Sequence, residues 1–510
     1  VDFLYKYAMI VNLLLFSISF LYLLYFLVTR NLNYWKAKNV PSPKPLPLFG
    51  NYKEVVLRRK PQGIVTQEIY KQFPNEKIVG MYRMTSPCLL IRDLDVIKNI
   101  MIKDFDLFTD RGIEFDKDKL GNNLFHADGE TWHPLRNKFT PLFTSGKLNN
   151  MFYLMAERGD KFIEYVDEIC KTKGEQEVYG LVQLYTVSTI SACAFGLDID
   201  YKDAKMEELK VINDLIFRLS YVNEVDMLFP GILKKISTSV FPTVVTKFFY
   251  NLVEEVSAQR NGVPSGRKDF MDLIFELRQQ KEIHTLKRNK EEATQLEITD
   301  SIMAAQAFVF YAAGFETSAT TMSFMLYELA RNQDVQDKLI AEIDEVLARN
   351  DGKVTYESIK EMTYMMKVFD ETLRMYPLVE PLQRNAKSNY LIPDTDVKIE
   401  KGTTVLISPI AIHNDEKYYP NPEKFDPERF SPENARARHP CAYLPFGLGP
   451  RNCIGMRFAK VQSQVCIANL LSKFRVAPSN NTKKIMDFDP YKPLLNPRGG
   501  IYLNVIPRSK

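Results

Sequence analysis

The chain has 510 residues, 45% of them hydrophobic, with 67 basic against 63 acidic side chains and a net charge of +4. That length can bury a large core, and so even a charge balance excludes a nucleic-acid binder built on a basic face. Six cysteines (Cys88, Cys170, Cys193, Cys441, Cys453, Cys466) contain no C-x-x-C pair, and five histidines contain no H-E-x-x-H. A disulfide framework and a zinc site are therefore not indicated, and the bulk of the chain reads as lying in a reducing compartment.

Residues 8–28, AMIVNLLLFSISFLYLLYFLV, carry no charge. As a helix of about 31 Å they match a bilayer core. Tyr22, Tyr25 and Trp35 suit the interface. Arg30, Lys36, Lys38 and Lys44 follow the run, against Lys6 and Asp2 before it, so the positive-inside bias puts the rest of the chain in the cytosol. The run is long for a signal peptide, and no small-residue cleavage site follows it. Residues 1–30 are thus expected to form a membrane anchor and 31–51 a proline-rich hinge with Pro41, Pro43, Pro45 and Pro47. Leu46, Leu48 and Phe49 predict that this hinge packs on the globular part, residues 52–510.

KIVGMYRM (77–84) and PCLLIRD (87–93) read as two strands around a Thr85–Ser86 turn. LDVIKNIMI (94–102) reads as helix. From 131 to about 347 the chain is dominated by long amphipathic segments, with polar breaks at 260–268 and 278–297. Val335, Leu339, Ile343 and Val346 carry the helical period. Strand-like runs return at 396–408, and 494–507 reads as a hairpin or last strand. No linker divides residues 52–510, so the expected fold is one large, mainly α domain with a smaller β part.

Four stretches carry chemistry. In LPFGLGPRNCIGMRFA (444–459), Cys453 follows Gly447, Gly449 and Arg451 and precedes Gly455 at a helix start. Glycines let backbone approach a flat ligand, and a cation and a helix N-terminus favour a thiolate. FYAAGFETSATTM (310–322) lies in an apolar helical segment of about 299–330. Glu316 and Thr317 are costly there unless used, and Gly314 offers a groove. ETLR puts Glu371 and Arg374 at i, i+3 on one helix face, able to pair. TWHPLR puts Trp132 and Arg136 at i, i+4, with Arg136 able to reach a carboxylate.

These runs, in this order, resemble the cytochrome P-450 family, in particular its insect microsomal members that handle foreign compounds. The resemblance extends over nearly the whole chain. It implies a cytochrome P-450 fold, a transmembrane helix at the N-terminus, and a haem-thiolate monooxygenase domain over 52–510. It implies heme b with Cys453 as the axial iron ligand, and Phe446 and Ala313 against the haem. Arg451, Arg136, Trp132, Arg384 (in PLQRNA) and Arg111 (in FTDRG) become propionate partners. Gly314, Glu316 and Thr317 become the oxygen-side residues, the last two a proton relay. Arg429, in PERF, joins Glu371 and Arg374 in a charge cluster behind the cysteine loop.

The implied reaction inserts one oxygen atom from O2 into an apolar small molecule, with xenobiotics such as plant toxins or insecticides expected. No G-x-G-x-x-G fingerprint is present, so electrons are expected from an NADPH-dependent flavoprotein reductase, with a small b-type cytochrome as a second donor. Lys138, Arg457 and Lys460 are candidate docking cations. The expected location is the endoplasmic reticulum membrane, single-pass, with the catalytic domain cytosolic. Substrate contacts are expected from 112–126, 227–235, 378–382 and 496–501, and from Phe308, Ala312 and Ala313, with Phe115, Phe125 and Phe308 as bulky walls. Met227, Leu228, Phe229, Ile232 and Leu233 are expected to dip into the bilayer. His133 and His413 read as structural. Leu448 departs from the polar residues common at that place in the family. Two rivals stand beside this reading. One is a haem-thiolate isomerase or dehydratase, which should lack the acid–alcohol pair. The other is a tethered haem protein that sequesters ligands.

Overall fold

The computed structural model describes residues 2–113, 120–228, 232, 241–267, 269–280, 282–286 and 293–508. Its first helix, α1 (Asp2–Thr29), contains the uncharged run. With a mean hydropathy of 2.2 and none of it buried, it is long and apolar enough to cross a bilayer. Tyr22 and Tyr25 stay exposed on it. Trp35 does not join them, which corrects the expectation of an interfacial ring. It is 1% exposed, stacks on Gly80 and donates Nε1–H to Met81 O at 3.0 Å. A Cβ on Gly80 would collide with the indole. The proline-rich segment also lies on the globule, where Gly80 N donates to Pro41 O and Gly50 pairs with Leu46 and Arg83.

β1 (Ile78–Arg83) and β2 (Ser86–Ile91) form an antiparallel hairpin with Met81 opposite Cys88. The predicted helix after it is α-helical over Leu94–Lys98 and then a π turn over Asn99–Lys103. The elements that build the core follow. They are α2 (Gly129–Phe139), α3 (Ser145–Thr172), β3 (Glu175–Glu177), α4 (Val178–Ile190), α5 (Val222–Leu228) and α6 (Thr243–Gln259). Arg260 closes the first polar break by bonding Asp269 and Asp272 at 2.8 and 2.7 Å. The second break contains a hairpin, β4 (Glu282–Leu286) and β5 (Ala293–Glu297). Its composition is too polar for period-two reading, and backbone pairing sets its register.

α7 (Asp300–Arg331) runs through the helical core, capped by Thr299, whose hydroxyl accepts from Ile302 N. By length it spans about 48 Å. Most of its side chains are buried around the full circumference, as expected of a helix apolar on every face. α8 (Gln333–Arg349) and α9 (Thr363–Met375) pack beside it. β6 (Leu382–Asn385) and β7 (Thr404–Ile407) complete a four-stranded sheet in the order β1-β2-β7-β6, with β2 and β7 parallel. α10 (Met456–Lys473) leads into β8 (Phe474–Pro478). The tail supplies β9 (Tyr502–Pro507), central between β8 and β3. Two apolar clusters result, a large helical one around α7 and α10 and a smaller one on the β1-β2-β7 side. The fold is mainly α with a minor β part.

Replacing Trp35 by Ala should cost about 3–5 kcal/mol of stability, read as a lowered thermal unfolding midpoint. Tyr22→Ala, on the exposed face of α1, should leave that midpoint unchanged.

Candidate active site around Cys453

The cysteine loop is held by backbone geometry first. Gly447 and Gly449 take φ of +68° and +72°, and a Cβ on Gly449 would collide with Met101 O of the π turn. Gly455, at φ −87°, caps α10 and needs no such freedom. Cys453 N donates to Phe446 O at 2.8 Å, which closes the loop. The Cys453 side chain is open to a cavity of 1170 Å3. Its deep position pushes the thiol up, while the Gly455 N–H, Arg136 and Arg111 pull it back toward the thiolate. Leu448, the departure noted above, is half-buried and packs against the sheet-side cluster.

Behind the loop, Arg374 and Glu371 are fully buried. Arg374 donates Nε–H and Nη2–H to the two Glu371 oxygens at 2.7 and 2.9 Å, and its remaining N–H groups reach His413 O and Pro422 O. Arg429 Nε stands 3.4 Å from Glu371. His413 links this cluster to the loop, because its Nε2 accepts from Leu444 N at 2.9 Å and Nδ1 faces Arg374 O at 3.1 Å. The proton therefore sits on Nδ1. Burial, with Arg374 adding, pushes His413 down to about 3 from its ordinary 6.5. His133, only half-buried, packs its ring on Trp132 at 4.6 Å.

Four guanidiniums ring the cavity on the cysteine side. Arg136 holds Asn452 through O and Oδ1, both at 2.8 Å. Arg451 reaches Ala127 O at 2.6 Å and stacks over Trp132. Arg384 donates to Gln383 O, and Arg111 lies over Phe125 at 3.8 Å. None of the four pairs with a carboxylate among the described residues, and Nε of Arg111, Arg384 and Arg451 is buried without a partner. Burial pushes Arg384 down to about 10. Burial and then Arg384 push Arg451 down to about 9, and Arg111 is lowered by burial, Arg384 and Arg451. Uncompensated buried cations are costly. An anionic group in the collar would relieve them, so this donor set fits the carboxylates of a bound haem.

On the opposite wall α7 presents Ala313, Gly314 and Thr317. A Cβ on Gly314 would lie 2.6 Å from Ile190, so this glycine also lets α4 approach α7. Thr317 Oγ1 donates to Ala313 O at 2.7 Å. Glu316 does not line the cavity. Its carboxylate points the other way and accepts from Tyr179 OH, Gln183 Nε2 and Asn496 Nδ2 at 2.5, 2.8 and 2.7 Å. The acid and the alcohol, neighbours in sequence, are therefore not side by side in space. Burial raises the Glu316 pKa.

The remaining expected wall residues divide. Gly112, Phe125, Met227, Leu228, Phe308, Ala312 and all of 378–382 line the cavity. Phe115, Phe229 and Leu233 lie outside the described residues, as do most of 229–235. None of residues 496–501 lines it. Asn496 is committed to Glu316, and Pro493, Leu494 and Leu495 take the place at the wall, where Leu495 N bonds Leu378 O. Of the candidate docking cations, Lys460 stands 3.4 Å from Asp370 and Lys138 is 3.3 Å from Gln280 Oε1, while Arg457 is exposed. Sequence reasoning missed Asn452, Tyr179, Gln183 and Phe241. Only the position of Asn452 inside the cysteine motif could have flagged one of them.

A cysteine at a glycine-built helix start, facing a large cavity through a ring of arginines that meet no carboxylate among the described residues, is an arrangement suited to a haem-thiolate protein. Comparison with known proteins agrees. The cytochrome P450 family model matches residues 40–505. The chain is 59% identical over 486 residues to cytochrome P450 6B6 of Helicoverpa armigera, covering 95% of this chain and 96% of that one. It is 56% identical to cytochrome P450 6B1 of Papilio polyxenes, covering 95% and 97%. It is 40% identical to cytochrome P450 6a2 of Drosophila melanogaster, also covering 95% and 97%. The chain belongs to the cytochrome P450 family, a family of oxidoreductases that hold haem through a cysteine thiolate.

His413 yields a pH test. The unfolded chain binds a proton near pH 6.5 that the folded one refuses down to about 3. Its contribution is thus fully present above pH 6.5 and is lost as pH falls, at up to about 1.4 kcal/mol per unit. His413→Gln should make urea-unfolding free energy less steep over about pH 4.5–6.5 and lower it at neutral pH.

Proposed function

We propose that this protein is a monooxygenase that inserts one oxygen atom from O2 into apolar small molecules, foreign compounds among them, with electrons passed from NADPH by a flavoprotein reductase. The observation that carries this reading is the Cys453 side chain open to a 1170 Å3 cavity that Thr317 also lines, within a collar of four arginines that pair with no carboxylate among the described residues. Haem bound there supplies O2 activation, with its thiolate ligand favouring O–O cleavage. Arg111, Arg136, Arg384 and Arg451 hold its carboxylates, and Trp132 keeps Arg451 flat. Phe125 and Phe241, with Phe308 of α7, exclude water and wall in an apolar substrate beside α7.

Thr317 keeps its proton on Ala313 O and leaves oxygen lone pairs free toward the cavity. Glu316 lies behind the helix, where burial favours its protonated form and the half-buried Tyr179 and Gln183 contact its carboxyl group. Handing that proton to the Thr317 side requires its carboxyl group to leave those donors. In this reading α1 anchors the chain in the endoplasmic reticulum membrane with the catalytic domain on the cytosolic face, residues 31–51 follow as a packed connector, and 52–510 form the oxygenase. Exposed Arg457 beside the cysteine loop is the first docking contact for the acidic reductase, and a small b-type cytochrome uses the same face.

The first test is the carbon-monoxide difference spectrum of the reduced, haem-loaded protein. Thiolate ligation predicts a strongly red-shifted Soret band, which Cys453→His should move to the position of histidine-ligated haem. The unshifted band in the native chain would refute the reading. With reductase and NADPH, Thr317→Ala and Glu316→Gln should each lower product formation about tenfold or more and raise the peroxide formed per NADPH oxidised. Unchanged product and peroxide yields would remove both groups from the proton path, and turnover of a peroxide substrate with neither NADPH nor reductase would favour the isomerase reading.

A further inference from the structure

The cavity reaches the surface between four segments: the C-terminal end of α1, whose Leu24 and Leu27 are exposed, the turn at residues 57–61, the β1–β2 turn, and α5. Three side chains from the first globular segments tie α5 down across this mouth. Ser86 Oγ donates to Met227 O at 2.8 Å and Thr85 Oγ1 to Leu228 O at 3.3 Å. The third tie is ionic. Arg58 Nη1 pairs with Glu224 Oε1 at 2.6 Å, its Nη2 reaches Ser220 O at 3.2 Å, and its guanidinium lies over the Tyr221 ring at 4.8 Å. Arg58, Ser220, Glu224, Met227 and Leu228 all line the cavity.

Two features separate this pair from an ordinary structural bridge. Arg58 holds φ +53°, a left-handed conformation that a side chain with a Cβ disfavours. Glu224 Oε2 is buried and has no hydrogen-bond partner among the described residues. A buried carboxylate with one satisfied oxygen is less well held than one with two. When α5 lifts, both charges regain water. The closed and open arrangements are thereby brought closer in free energy than a fully satisfied buried pair would allow. By contrast, Arg374 and Glu371 are satisfied on every side and are built to stay shut.

We propose that the Arg58–Glu224 pair is a reversible latch on the mouth of the cavity, and that its opening limits how fast bulky apolar ligands pass to and from Cys453. The weaker Thr85 and Ser86 bonds set where α5 lands, while the ion pair sets how long it stays. The inference rests on the cavity and uses bound haem only as a reporter.

The test follows 4-phenylimidazole binding to the haem-loaded full chain by stopped-flow absorbance, with carbon monoxide as a ligand too small to need the latch. Glu224→Gln and Arg58→Gln should each speed both association and release of the azole by about tenfold. Carbon-monoxide association should stay within about twofold of native. The charge-swapped chain, Arg58→Glu with Glu224→Arg, should return azole exchange to the slow native rate. Azole exchange in Glu224→Gln at the native rate, or fast exchange that the swap leaves fast, would overturn the latch. If the swapped chain does not fold, Arg58→Lys keeps the charge. Near-native exchange then supports the latch, and exchange as fast as in Arg58→Gln overturns it. The native carbon-monoxide spectrum decides the reading of Cys453 separately, since the azole reports passage to haem iron whatever its other ligand.

Discussion

The fully buried contact between Arg374 and Glu371 is the constraint on which the site depends. A guanidinium with five donors, taken out of water, must meet acceptors in every direction. Here they come from its own helix, from His413 O and from Pro422 O. Glu371 in turn accepts from Asp426 N at 2.9 Å, which fixes the run before Arg429. Removing one partner of such a pair costs about 3–5 kcal/mol because the other charge is stranded. The pair therefore locks α9 to the chain between 413 and 426. His413 carries that rigidity one step further, from Arg374 O to Leu444 N, and so to the loop that presents Cys453.

On the front of the loop the physics runs the other way. The arginines around the cavity meet no carboxylate among the described residues, and three of them keep a buried Nε without a partner, which suits the site to a negatively charged ligand. The same cations act on the sulfur. Burial alone would keep Cys453 a thiol, and Arg136, Arg111 and the Gly455 N–H oppose it. One group of guanidiniums thus serves two ends, attraction of carboxylates and stabilisation of a thiolate. The back of the site is fully satisfied and rigid, the front is unsatisfied and receptive, and the distal mouth is half-satisfied and movable.

Much of this was legible in the primary structure because it is local. The loop around Cys453 needs left-handed glycines within a few residues. Glu371 and Arg374 are one turn apart. What escaped was set by contacts between distant segments. Trp35 looked interfacial because it follows an apolar run, yet Gly80 leaves a slot for its ring. The β4–β5 hairpin lacks apolar alternation. Asn496 was read as a wall residue, but it spends its amide on Glu316 and on Thr320 Oγ1.

From sequence alone came the family, the cysteine in its glycine-built loop, the pairing of Glu371 with Arg374, the long apolar first helix and the mainly helical fold. Each depends on residue type at short spacing, which the chain carries in one dimension. Tertiary structure alone decided which face of α7 looks into the cavity. Consecutive helical residues point about 100° apart, so Thr317 and Glu316 cannot both face one side, and a helix buried all around offers no polar stripe to tell which does. It also decided that Arg58 and Glu224, 166 positions apart by their numbers, would meet across the cavity mouth. Both are outcomes of packing, where the burial of apolar surface fixes the helices and the polar groups take the partners that remain within reach.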